Sequence, residues 1–146
     1  MTTSKQKAQG TGFSYWLRRK LVASALPTKA LPEGGPLDEA DLETMVYDTN
    51  PANNYFRRVV IEARARQNMS VHVAMAKAIG KEERAAKRED RPPDAVWLVW
   101  KRFAPIRPGE VRRRALGPPL VIMELDEAIR LAGGRPEAQV IADAEA

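Results

Sequence analysis

Proline sets the limits of what this chain can fold into. There are 11 in 146 residues, and because a proline lacks the backbone N–H and crowds the residue before it, regular elements must fit between them. Clusters over 27–36, at Pro92-Pro93 and over 105–119 leave two long unbroken stretches, residues 1–26 and 52–91. The second is the longer, and the reading of the whole chain turns on it.

That stretch has a marked beginning. Asp48, Thr49 and Asn50 each carry an N-cap side chain, and Pro51 suits a first helical position, where a missing N–H costs nothing. From there Phe56, Val59, Val60 and Ala63 share one side of a helix, while Ile61, Ala65, Met69, Ala76 and Ile79 share another. The spacing predicts a long central helix over 50–91, kinked around Asn68-Met69-Ser70, where the apolar stripe changes side and Ser70 is placed to cap a second segment. Gly80 is its weak point. Residues 81–91 read as a solvated continuation, with Glu83 four residues before Lys87.

Residues 1–32 hold no Asp or Glu but six cations, Lys5, Lys7, Arg18, Arg19, Lys20 and Lys29. If 13–26 is helical, Phe13, Trp16, Leu17 and Leu21 lie towards one side of it. An acid-free, basic, amphipathic start predicts an uncleaved mitochondrial address, with the cytoplasm as the other compartment. Residues 37–43 read as a short helix with an acidic first turn; Asp38, Glu39, Asp41 and Glu43 are read as a solvated helix start rather than a cation site. Beyond Pro93, residues 95–100 and 120–123 are rich in β-branched and aromatic side chains and are strand candidates, although 94–103 also fits helical spacing. A helix over 125–132 should stop at Gly133-Gly134 and another start at Pro136. That outline loosely suggests a helix-turn-helix, but Glu137, Gln139, Asp143 and Glu145 give the second helix the wrong charge for DNA.

The fold expected is therefore mainly α: an extended helical subunit with proline-rich connections and at most a two-stranded β element. Its divisions are a basic N-terminal arm (1–36), a central helical region (37–91) and a proline-interrupted module (92–146). No stretch is long and apolar enough to span a bilayer.

For chemistry the residue inventory is narrow. The absence of cysteine excludes disulfides, thiolate metal sites and thiol catalysis. His72, the one histidine, falls near Ala65, Met69 and Ala76 and is read as packed or partner-bonded. No phosphate loop or dinucleotide fingerprint is present. On this reading the chain is not an enzyme and holds no metal or cofactor. Aromatic residues instead fall beside cations in three clusters: Trp16 with Arg18 and Arg19; Tyr55 and Phe56 with Arg57 and Arg58; Trp97, Trp100 and Phe103 with Lys101 and Arg102. Of these, Trp16, Arg18, Arg19, Tyr55, Phe56, Arg57, Arg58, Trp97, Trp100 and Phe103 are the expected partner-binding set. Residues 1–114 carry 22 basic and 13 acidic side chains, residues 115–146 only 2 and 6, so an acidic partner would meet the front of the chain. The function expected is a non-catalytic accessory subunit of a mitochondrial respiratory complex or ribosome, bound to other protein subunits and touching RNA or anionic lipid. The alternative is an autonomous nucleic-acid-binding or phage-type structural protein.

Overall fold

A computed structural model describes residues 4–32, 40–48, 50 and 54–146. Nine elements follow one another: α1 (Ser4–Ala23), β1 (Thr28–Ala30), β2 (Leu42–Tyr47), β3 (Phe56–Arg66), α2 (Val71–Arg88), β4 (Ala95–Arg102), β5 (Leu120–Ile122), α3 (Leu125–Leu131) and α4 (Glu137–Glu145). The strands form a single sheet in the order β1-β2-β3-β4-β5. All neighbours are antiparallel except β3 and β4, which run parallel and are joined through α2. The fold is α/β, so the expectation of a mainly helical chain is corrected.

The correction centres on residues 56–66. Val59-Val60-Ile61 is a β-branched run, stiff at χ1 and suited to a pleated surface. As a central strand it is buried on both faces, which a continuous apolar run satisfies and a one-sided helix does not. Val59, Ile61 and Ala63 face α1, packing with Leu42, Val46, Trp97 and Val99 against Phe13 and Leu17. Val60 faces α2, packing with Val96, Ala40 and Ala78. The expected kink near Ser70 is instead the boundary between strand and helix, and Ser70 occupies the N-cap position of α2, though its side chain makes no capping hydrogen bond.

The helix α2 lays Met75, Ala78, Ile79, Glu82, Ala85 and Ala86 on the sheet at helical spacing and runs through Gly80. Its charged end is thus not wholly solvated. Leu42, Thr44 and Val46 alternate inwards along β2, so residues 42 and 43 are strand, not helix, while Asp38 and Glu39 lie outside the described residues, as does Pro51. The expected β element at 95–100 and 120–123 exists as β4 paired with β5, but as two strands of five. At the end of α1, Ala25 takes a left-handed φ of 67° and the Leu26 N–H donates to Leu21 O at 2.9 Å, turning the chain into β1. Phe13 and Leu17 are core residues of the sheet.

Candidate functional site

Asp41 immediately precedes β2, and the antiparallel register that sets Leu42 opposite Ile61 brings it alongside Glu62. The Asp41 N–H donates to Ile61 O at 3.1 Å, and its carboxylate accepts the Ala63 N–H at 2.8 Å. Glu62 and Arg64, two residues apart, project from the same face of β3 towards α2. Arg64 spans the two acids, its Nη1 donating to Asp41 Oδ2 at 3.3 Å and its Nη2 lying 2.7 Å from Glu62 Oε2. From α2, Lys81 donates to Glu62 Oε1 at 3.4 Å. Two carboxylates and two cations from three elements therefore converge where the sheet meets α2.

Glu62 is 1% exposed. Burial pushes its carboxyl above the ordinary glutamate range and the neighbouring Asp41 pushes the same way, outweighing the opposite pull of Arg64 and Lys81. Its Oε2 makes no hydrogen bond, so Arg64 serves as a charge contact rather than an aligned donor. Among the described residues no group of three His, Cys, Asp or Glu side chains assembles a metal cage. Two carboxylates do suit a magnesium-like cation, which takes one or two protein oxygens and completes its shell with water and substrate phosphate.

Two other charged clusters are built differently. Glu82, buried on α2, accepts the Asp94 N–H at 2.6 Å and Arg91 Nη1 at 2.6 Å, clipping the end of α2 to the start of β4. Arg91, which also bonds Glu89 and Asp94, is held firmly in its charged form, chiefly by Glu82. Arg58 joins Glu43 and Asp94 in the same network. On the opposite face, buried Glu127 of α3 accepts Trp97 Nε1–H at 2.7 Å and meets Arg57 at 2.5 Å.

The residues expected to bind a partner are dispersed by this fold. Trp97 is core, and Trp100 donates its Nε1–H to Arg66 O at 2.9 Å. Arg57 and Arg58 pair with acids of the domain itself. Tyr55 and Phe56 are exposed beside Tyr47, at the far end of the β2–β3 hairpin from Asp41 and Glu62. Arg18 and Arg19 lie over the Tyr15 ring. Trp16 and Phe103 come together across one cleft. His72 stands exposed at the start of α2. Of the acids weighed at sequence level, Asp41 belongs to the site and Glu43 to the Arg58 network. Glu62, Arg64 and Lys81 were not singled out. The available signal was an acid, Glu62, inside the apolar run 59–63.

No family model matches the chain, and no curated protein matches it. Among solved structures it is similar to the Holliday junction resolvase Hjc of the archaeal hyperthermophile Archaeoglobus fulgidus, with 13% identity and a TM-score of 0.41 over 92% of this chain and 96% of that one. A likeness of that degree lends no residue roles. The expected non-catalytic accessory subunit of a mitochondrial complex is corrected on the fold: the extended helical layout it was built on is replaced by a five-stranded sheet packed on both faces.

Proposed function

We propose that this chain is a nucleic-acid-acting enzyme that hydrolyses phosphodiester bonds at Asp41, Glu62, Arg64 and Lys81. The observation that carries the reading is Arg64 bridging a carboxylate pair whose deeper member, Glu62, is buried with its proton affinity raised. Perturbed carboxylates held among cations are suited to chemistry on a charged substrate. The formal net charge of +5 favours a polyanion.

In such a reaction the oxygen of a water attacks phosphorus, the bond from phosphorus to the leaving sugar oxygen breaks, and negative charge builds on the phosphoryl oxygens. Arg64 and Lys81 are placed to turn from the carboxylates to the phosphate and offset that charge. Glu62, whose proton affinity is raised by burial and by Asp41, is placed to take the proton of the attacking water. A hard divalent cation, for which Asp41 and Glu62 are the available oxygen donors, would supply Lewis-acid polarisation of the phosphate.

Incubation of the purified chain with magnesium and plasmid, linear duplex, single-stranded and four-way-junction DNA tests the reading. Asp41→Asn and Glu62→Gln should each lower cleavage by about 100-fold or more, and Lys81→Met by about tenfold or more. Absence of cleavage on every substrate, or undiminished cleavage by both carboxylate variants, would overturn it.

A further inference from the structure

Behind the same strand end, on the α1 face of the sheet, lies a cleft of about 460 Å³ that the proposed chemistry does not use. The register places it close by: Arg64 of the site and Ala65 of the cleft are consecutive in β3 and point to opposite faces. One wall is aromatic. Trp16 stacks on Phe13 with ring centroids 5.9 Å apart, yet remains 47% exposed. The floor is Phe103, with Lys101 and Arg113 over its ring at 5.4 and 5.6 Å.

The charge of the cleft is of one sign. Lys101, Arg112 and Arg113 line it, no Asp or Glu does, and none of the three has a carboxylate partner among the described residues. Elsewhere the described arginines commonly meet acids, as at Arg57, Arg58, Arg64, Arg91, Arg114 and Arg135. Arg113 Nε is buried without a hydrogen-bond partner. An unmet donor and uncompensated cations around exposed ring surface call for a ligand with both a planar apolar face and anionic oxygens.

We infer that this cleft binds single-stranded nucleic acid, one base stacking on Trp16 while the adjoining phosphates meet Lys101, Arg112 and Arg113. The inference deepens the reading above and rests on nucleic acid being the substrate. Stacking needs an unpaired base, because in a duplex the ring faces are already occupied. An aromatic cleft behind the site therefore engages strands that leave a duplex, at an end, a gap or a branch. Its concavity and a volume within the roughly 300–1,000 Å³ usual for ligand pockets favour an inserted group over a flat anionic membrane.

The test is binding of the full chain, by fluorescence anisotropy, to a labelled oligothymidylate and to a duplex of equal length, without magnesium. Trp16→Ala should weaken single-strand binding about tenfold or more and leave duplex binding within about twofold. Arg112→Ala, an exposed change that leaves the core intact, should weaken single-strand binding and lower the slope of log K against log salt by about 0.7. Lys87→Ala, an exposed position of α2 on the other face of the sheet, should match the parent. Equal single-strand affinity in the parent and in both cleft variants would overturn the inference. So would Trp16-dependent binding to phosphatidylserine vesicles that the oligonucleotide does not displace. Comparing the parent with Glu62→Gln separates the two readings: if the parent cleaves no substrate, or Glu62→Gln cleaves as well as the parent, but single-strand binding still needs Trp16, the cleft stands and the catalytic site falls. If cleavage needs Glu62 but binding ignores Trp16, the reverse holds.

Discussion

Glu127 is the residue whose removal should be felt most by the fold. It is 3% exposed, on α3, and reaches the sheet through two contacts: the Trp97 Nε1–H at 2.7 Å and Arg57 Nη2 at 2.5 Å. The Arg57 contact is short but not aligned as a hydrogen bond, so it works through charge. Arg57 has one further acid nearby, Asp48, at 3.9 Å. Glu127→Ala therefore removes a charge-assisted hydrogen bond of about 1.5–3 kcal/mol and leaves a largely buried guanidinium with a distant counter-charge. Breaking one side of such a pair costs about 3–5 kcal/mol, against a total of about 5–15 for an ordinary domain.

Urea unfolding followed by tryptophan fluorescence reads this directly, because Trp97 is the Glu127 donor. Glu127→Ala should lower the midpoint with the slope unchanged. The double change Arg57→Met with Glu127→Leu should recover most of the loss, since replacing both charges by apolar groups of similar volume is often neutral. A loss below about 1 kcal/mol in the single variant, or no recovery in the double, would refute the charge-pair argument.

Glu82→Ala should cost about 1–3 kcal/mol in the same assay, because it strands the Asp94 N–H and takes two hydrogen bonds from Arg91, which keeps Glu89 and Asp94. Gly117→Ala should cost about 1–2 kcal/mol, since φ is +76° there and the new methyl would lie 3.3 Å from Arg102 Nη2. Glu62→Gln should change how stability varies with pH. The folded chain holds the Glu62 proton more tightly than the unfolded chain, so its contribution is full below pH 4.5 and is lost as pH rises through the raised value. The urea midpoint of the parent should therefore carry a decline above pH 4.5 that the Gln variant lacks, and identical profiles would remove Glu62 from that role.

Much of the chain's punctuation was legible in its sequence. Gly133-Gly134 and Pro136 do separate α3 from α4, and the residues of β4 and β5 show their β-branched character, whereas α2 stops at Arg88, before Pro92-Pro93, with Asp90 at a left-handed φ of 52°. What misled was β3. A strand buried on both faces has no alternation to display, and Phe56, Val59, Val60 and Ala63 fit a helical stripe equally well. That one wrong period also hid the site. On a helix Glu62 has Arg58 and Arg66 four residues to either side and reads as paired at the surface, whereas on a central strand it is an acid between two packed layers. Asp41 was hidden for a different reason: its neighbour depends on hairpin register, across a connection of residues that local pattern does not align.

The three buried glutamates then separate by what holds them. Glu82 and Glu127 accept N–H donors at 2.6 and 2.7 Å, and each ties one element to another. For such residues a structural role accounts for the burial, because the acid satisfies donors that would otherwise be stranded. Glu62 has a single hydrogen bond, from Lys81 at 3.4 Å, an unaligned guanidinium, and a second carboxylate close enough to raise its proton affinity. Burying one acid beside a second works against folding, and a leucine at 62 would pack between the layers without that penalty. Stability alone therefore does not account for Glu62 and Asp41 sharing Arg64, whereas a reaction that needs a poised carboxylate and displaceable cations does.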